Sequence, residues 1–353
     1  MLNVLVTGVG ASGVGYQILT ALRLADTAYK LITADTSRLS LGLKFGKKNY
    51  LLPRATSPDY FDSVLEICER ESINALFYGS EAELKVLSDN RERFEERGVF
   101  LPLNPKRVID ISLDKNETVR VLNDFGFHTP RSFRVANDDD LTRVDVFPVV
   151  LKPSVGGGGS SNLMVAQDRH ELAAFGAFLL QTYDEFIVQE YVGDAESEFT
   201  VGVLCDMEGN LINSIAMRRI IDSSFGNRLK VPNRTGRDAL GKNLVISSGL
   251  SQGWIGRYPE VTAECERLAL ALGATGAINI QCRYVDGKVM VFEINPRFSG
   301  TTSLRALAGY NEPDVLIRKH LLNEEIERNF NYREGCVLRS LEGAFVDERE
   351  ARS

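Results

Sequence analysis

The sequence predicts an α/β N-terminal part built on a parallel sheet, followed by an α+β region with largely antiparallel sheets. Three observations carry this expectation. The first hundred residues alternate strand and helix patterns, the signature of parallel α/β layers. Beyond Pro130 strand patterns dominate, and two helix patterns interrupt them. Each part also holds a glycine cluster, the first between a strand and a helix and the second between two strands.

Taken in order, NVLVTG reads as a strand, VGYQILTALRLA as a helix and YKLITAD as a strand. After an irregular stretch come a helix at PDYFDSVLEICERES, a strand at INALFYG and a helix at EAELKVLSDNRERFEERG. The chain changes character between Lys106 and Asp114, where DKNETVRVLNDFGF reads as a short helix capped by the Asp114 carboxylate. The strands then run FPVVLKP, NLMVA, EFIVQEYV, SEFTVGVLCD, LINSIAMRRII, AINIQCRYV and KVMVFEINP. Helix patterns fall at DRHELAAFGAFLLQTY and YPEVTAECERLALALG. The second of these sets Val261, Cys265, Leu268, Ala269 and Leu272 on one face.

Composition narrows the function classes. The 353 residues suggest two or three subdomains, and 44% hydrophobic with 25% charged residues is ordinary globular composition. A net charge of −7 offers no global attraction to nucleic acid or to anionic membranes, so neither is expected as a partner. No apolar run approaches the ~20 residues a membrane span needs. The N-terminus enters a strand directly, without a signal-peptide pattern, and a cytoplasmic location is expected. The ending DEREARS, straight after a strand pattern, is compatible with a further C-terminal piece. Five scattered cysteines without a C-x-x-C, and three separated histidines, read as packing or surface residues rather than ligands.

The first glycine cluster, Gly8-Val9-Gly10-Ala11-Ser12-Gly13, ends a strand and opens a helix, and Asp35 closes the next strand. This is the dinucleotide fingerprint with its acidic ribose partner, so a nicotinamide-dependent oxidoreductase is one reading. It lacks support elsewhere: no histidine sits beside a candidate carboxylate. The second cluster, LKPSVGGGGSSNLMVA, lies between two strands. Its side-chain-free N–H groups can close over a triphosphate, with Lys152 as a point charge. The same segment is equally compatible with a hairpin tip beside a chance lysine.

The most specific signal is AINIQCRYVDGKVMVFEINPRFSG. Glu293, Asn295 and Arg297 share parity on one strand and face one side, with Met290, Phe292 and Ile294 on the other. A carboxylate and an amide supply oxygens suited to Mg²⁺, and a guanidinium can stabilise a transferring phosphoryl group. Gln281 on the partner strand offers another oxygen. A strict two-residue turn at Asp286-Gly287 puts Gln281 on the wrong face, so an odd loop or a bulge is expected there. Between the hairpins, Arg218, Arg219, Arg228, Lys230, Arg234, Arg237 and Lys242 form a local basic stretch. Arg218 or Arg219, at a strand end, is expected to meet substrate, with Arg218 the catalytic candidate. The rest are as well read as a solvated loop.

Lys115, Lys152, GGGGSSN, QEYV, EFTV and FEINPRFSG, in that order, resemble the ATP-grasp superfamily and within it the carbamoyl-phosphate-synthetase-like branch. EFTVGVL is also similar to D-alanine–D-alanine ligase. GSEAEL and LLPRATSPDYFDSVLEI are similar to the domain that precedes the ATP-grasp fold in such enzymes, so the resemblance covers nearly the whole chain. It implies a Rossmann-like pre-ATP-grasp domain over 1–108, a small subdomain over 109–187, a large subdomain over 188–330 and a C-terminal strand or tail over 331–353.

The resemblance further implies ATP as cosubstrate with Mg²⁺, replaceable by Mn²⁺. Lys115 and Lys152 are expected at the phosphates, with Gly156, Gly157, Gly158, Gly159 and Ser160 as the lid. Gln189, Glu190, Tyr191 and Val192 are expected at the adenine, Glu190 and Val192 through backbone groups, and Glu198 at the ribose. Gln281, Glu293 and Asn295 are expected to hold metal, with Glu293 bridging two ions, and Arg297 to steady the phosphoryl group. The implied chemistry is activation of a carboxylate as an acyl phosphate for attack by an amine. Its partners are two small molecules, and a homodimer is allowed. A non-catalytic ATP-binding module is the remaining alternative. In either ATP-grasp reading the Gly8–Gly15 loop becomes a wall on the substrate side, with no ribose for Asp35.

Overall fold

The computed structural model describes residues 1–10, 13–156, 162–223 and 226–340. Its first sheet is parallel. Strands β1 (Leu2–Thr7), β2 (Tyr29–Asp35), β3 (Lys48–Leu51) and β4 (Ala75–Phe77) lie in the order β3-β2-β1-β4. Helices α1 (Val14–Arg23), α2 (Tyr60–Arg70) and α3 (Glu81–Asp89) provide the crossovers and the layer after β4. The centre of β1, Val4-Leu5-Val6, is an apolar run because both its faces are covered, Val4 and Val6 in one core and Leu5 in another. Ser80 caps α3 by accepting from the Glu83 N–H at 3.2 Å, and Glu83 returns to the Gly79 N–H at 3.1 Å.

The glycine fingerprint is explained by packing. Gly8 has φ +60°, and a Cβ on Gly15 would stand 2.2 Å from the Thr7 carbonyl. α1 therefore approaches β1 more closely than any side chain permits. The Asp35 carboxylate accepts from the Ser37 N–H at 3.0 Å, closing its own turn.

Helices α4 (Arg91–Glu95), α5 (Lys106–Leu113) and α6 (Lys115–Asp124) lead into the second half. Asp114 caps α6 as expected, accepting from the N–H groups of Asn116 at 2.8 Å and Glu117 at 3.2 Å. Strands β5 (Ser132–Val135), β6 (Val149–Pro153), β7 (Met164–Ala166) and β8 (Phe186–Glu190) form an antiparallel sheet, ordered β5-β8-β6-β7 and backed by α7 (Arg169–Leu180). The expected boundary between 187 and 188 falls inside β8, whose ladder with β6 continues to Glu190.

The largest sheet is antiparallel and six-stranded. It contains β9 (Glu198–Cys205) and β10 (Leu211–Arg219), and beyond a separate ribbon of β11 (Asn227–Pro232) and β12 (Asn243–Ser247) come β13 (Gly253–Gly256), β14 (Ala277–Val285), β15 (Lys288–Asn295) and β16 (Gly335–Val337). Their order is β15-β14-β9-β10-β13-β16. Helix α8 (Pro259–Leu272) buries Val261, Cys265, Leu268, Ala269 and Leu272 against one face, as its spacing predicts. On the other face, α9 (Thr302–Leu307) and α10 (Glu312–Leu321) join α1 in a core shared with β1 and β10. Within the segment expected as a C-terminal strand or tail, β16 completes the sheet beside β13. Among the described residues no helix is long and apolar enough to cross a membrane.

Candidate active site

One cavity of about 380 Å³ lies where the two antiparallel sheets and the edge of the N-terminal sheet meet. β6 and β8 contribute Lys152, Gln189 and Glu190, with Tyr191 and Val192 following directly. From the large sheet come Glu198, Arg219, Gln281, Glu293 and Asn295, with Arg297 just past β15. Lys115 opens α6 at one side. Gly13, Gly79, Ser80 and Glu81 of the N-terminal domain close the far end.

A bulge decides the register on which the oxygen cluster depends. The turn at Asp286 (φ 50°) and Gly287 (φ 76°) is a two-residue one, with Val285 opposite Lys288. Three pairs further on, Cys282 pairs with Val291, but the next residue, Gln281, pairs with Glu293, leaving Phe292 as the extra residue. The expected irregularity therefore sits inside the ladder, not at the loop. Gln281 and Glu293 share a face because of it. Phe292 also reaches the cavity wall, against the simple alternation read from the sequence.

The bulge has a partner. The Phe292 carbonyl accepts from Lys152 Nζ at 3.1 Å, and the ammonium lies 5.7 Å from the centre of the Phe292 ring. Burial pushes the Lys152 ammonium down to about 8, opposed by the attraction of Glu293 and aided by repulsion from Lys115. Burial alone would raise the Glu293 carboxyl. Lys115, Lys152, a hydrogen bond from Asn295 and the Arg297 charge outweigh it and hold Glu293 below its usual value. That bond runs from Asn295 Nδ2 to Glu293 Oε1 at 3.1 Å.

Arg297 donates from Nη2 to Glu81 Oε1 at 2.8 Å and from Nη1 to the Phe298 carbonyl at 3.0 Å. Its Nε is buried without a partner among the described residues, so one donor is left over beside the cavity. The ion pair with Glu81 ties the N-terminal domain to the site.

One expectation is corrected by the geometry and a second is qualified by it. Arg218, the catalytic candidate, does not line the cavity, whereas its neighbour Arg219 does. Successive residues of β10 point to opposite faces, and the sequence could not show which face met the site. Glu198, expected at the ribose, lines the cavity with each carboxylate oxygen already paired to an arginine. Its Oε1 receives Arg219 Nη1 at 2.9 Å, and its Oε2 receives Arg283 Nη2 at 3.1 Å. Arg283 also lies 4.4 Å from the centre of the Tyr191 ring. No motif pointed to Arg283; its parity with Gln281 on one strand was the available signal.

Of the lid residues, Gly156 is described, with φ +72° and open space around it. Gly157, Gly158, Gly159 and Ser160 lie outside the described residues.

The donor set fits a hard divalent cation. Glu293 with the amide oxygen of Asn295 supplies oxygen only, as Mg²⁺ prefers, and phosphate oxygens and water complete such a shell, while the expected third ligand, Gln281, already accepts from Arg219 Nη1 at 3.1 Å.

Comparison with known proteins agrees with this architecture. Residues 4–101 match the family model of the PylC-like N-terminal domain. Residues 247–344 match the model described as ATP-grasp in the biosynthetic pathway with Ter operon. The carbamoyl phosphate synthase large chain of Thermoplasma acidophilum is 25% identical over 308 residues, covering 84% of this chain and 27% of that protein. The chain thus spans about a quarter of the length of that curated relative. The L-amino acid ligase of Bacillus licheniformis superposes with a TM-score of 0.64 at 18% identity, over 91% of this chain and 74% of that one. The biotin carboxylase domain of the Hydrogenobacter thermophilus 2-oxoglutarate carboxylase, solved with MgADP and bicarbonate, gives a TM-score of 0.58 at 16% identity. It covers 90% of this chain and 68% of that one.

Proposed function

The chain carries the ATP-grasp fold behind a PylC-like N-terminal domain, and from that premise we propose that it is an ATP-dependent carboxylate–amine ligase. The observation that supports this most is the convergence of Lys115, Lys152, Glu293, Asn295 and Arg297 on one cavity reached by three sheets.

The adenine end lies at the chain crossing between the two antiparallel sheets. The Glu190 N–H is committed to the Arg131 carbonyl at 2.7 Å, and the Val192 carbonyl to Arg283 Nη1 at 2.9 Å. The Glu190 carbonyl and the Val192 N–H remain, an acceptor and a donor that suit the edge of adenine. Lys115 and Lys152 meet the phosphates. Glu293 and Asn295 would hold Mg²⁺, which supplies charge neutralisation to the phosphate oxygens when bound.

An acid lying toward Gly13 and Ser80 would offer a carboxylate oxygen to the γ-phosphorus. The bond to the β–γ bridging oxygen breaks and ADP leaves, giving an acyl phosphate. An amine then attacks the acyl carbon, phosphate departs and an amide remains. Arg297, Lys152 and Lys115 carry the charge that shifts between oxygens, so positioning and electrostatics suffice without a nucleophilic side chain. The oxidoreductase reading loses its ground, because packing accounts for Gly8 and Gly15 and the Asp35 carboxylate is used by its own turn.

The test is ADP and phosphate release from Mg-ATP over a matrix of amino acids, other carboxylic acids and amines. Release should need an acid and an amine together. A thermal shift with NADH and none with Mg-ATP would sink the reading.

Lys152 gives this site a pH signature. Its ammonium loses the proton near pH 8 in the fold, against about 10.5 when exposed. The unfolded chain therefore binds more protons between those values, and this residue's contribution to stability rises with pH across that window. Phosphate binding needs the charged form, so the opposite trend is expected for affinity. The Kd of an ATP analogue should climb above pH 8 by at most about tenfold per pH unit, and Lys152→Arg should flatten the climb. A flat wild-type profile from pH 7 to 9.5 would refute this assignment.

A further inference from the structure

Resting on the ATP-binding reading above, we propose that the phosphate end of the cavity takes one divalent cation, and that the Arg219 guanidinium permanently fills the place beside Gln281 where a second would stand. The resemblance to ATP-grasp enzymes implied that Glu293 bridges two ions, and the side chains here do not fit a pair.

Gln281 Oε1, the oxygen a second ion would need, accepts from Arg219 Nη1 at 3.1 Å. A divalent ion bound to that oxygen would stand a few ångströms from a fixed positive charge with little solvent between them. Arg219 cannot readily move aside. It is 5% exposed and donates to Glu198 Oε1 at 2.9 Å, Ser247 Oγ at 2.8 Å and the Ser248 carbonyl at 2.5 Å. Swinging it out would strand the Glu198 carboxylate beside Arg283 alone and leave buried acceptors unsatisfied.

The carboxylates are also too few. Among the described residues, no group of three or more His, Cys, Asp or Glu side chains is placed to hold a metal ion. Both Glu198 oxygens are spent on arginines, so Glu293 is the acid left for the phosphate end. Glu293 with Asn295, phosphate oxygens and water completes one octahedral shell. A second divalent ion would add its charge to an end where Lys115, Lys152 and Arg219 already face Glu293. Glutamine at 281 belongs to the same arrangement: its neutral carbonyl satisfies Arg219 without neutralising it.

The experiment counts bound Mn²⁺ by electron paramagnetic resonance in the full chain saturated with the β,γ-imido analogue of ATP, with nucleotide occupancy measured on the same sample. One Mn²⁺ per bound nucleotide is expected. Two per nucleotide would overturn the proposal while leaving the ligase reading intact. A chain that binds no analogue would overturn both. The double variant Arg219→Gln/Gln281→Glu removes the guanidinium and supplies a carboxylate, so its ratio should rise from one to two. Gln281→Glu alone should stay at one, because the new carboxylate pairs with Arg219. If the double variant folds by circular dichroism and still binds one ion, Arg219 does not fill that place and the proposal fails; the wild-type count stands as the test if it does not fold.

Discussion

Glu293→Ala is expected to lower ATP turnover by about 10²–10³ or more, the scale at which loss of a group that organises transition-state charge is felt. Glu293 is the acid left at the phosphate end, where it faces Lys115, Lys152 and Arg297. Its loss removes the cation's main ligand. It also removes the attraction that opposes deprotonation of Lys152, so the analogue's affinity should begin to fall at a lower pH than in the wild type. The fold should survive, because the side chain lines the cavity and carries no core contact that alanine would empty. Turnover by initial rates, together with a thermal melt, checks both halves. Wild-type turnover in a folded variant would show that the site has been misplaced.

The largest stability effect is expected away from the nucleotide, behind the cavity wall at Asn279. Arg305 and Glu312 are each 1% exposed and pair at 3.0 Å. Arg305 Nη2 donates to Asn279 Oδ1 at 2.6 Å, and Glu312 Oε2 accepts from Thr302 Oγ1 at 3.0 Å. The pair fills the space above Gly202, where a Cβ would lie 2.3 Å from Arg305 Nη1. Arg305→Ala leaves the Glu312 charge buried and unpaired, at an expected cost of about 3–5 kcal/mol. That is a large part of the roughly 5–15 kcal/mol by which domains are stable. Arg305→Met with Glu312→Leu should recover most of the loss, since no charge is then left alone. Urea denaturation of the two single variants and the double variant measures the coupling. Additive losses would mean that the two charges do not stabilise each other.

Much of this was legible in the chain itself. Alternation of strand and helix gave the parallel N-terminal sheet, because its buried strands read as apolar runs between amphipathic helices. The Asp114 cap and the apolar face of α8 were equally local, fixed by one carboxylate and by the helical period. The E-x-N-x-R spacing put Glu293 and Asn295 on one strand face with Arg297 just past its end, and the cavity contains all three.

What failed to show was whatever depended on a neighbour. Arg218 and Arg219 are indistinguishable along the chain; the partners of β10 decide that Arg219 turns inward. Glu198 reads as a free acid until Arg219 and Arg283 arrive from two other strands. Pairing Gln281 with Glu293 required an irregularity, and the sequence could not place it at Phe292, where a carbonyl released from the ladder meets Lys152.

By itself, then, the sequence determined the elements, their caps and the inventory of chemistry, because periodicity, capping and turn residues act over a few residues. Only the tertiary structure decided which charges remain available to a ligand. That depends on which buried groups neutralise one another, a matter of distances between strands far apart in the chain. The opening glycines belong to both. Their spacing is local, but the close approach that requires Gly8 and Gly15 exists only once α1 lies against β1 and the β4 turn packs beside it.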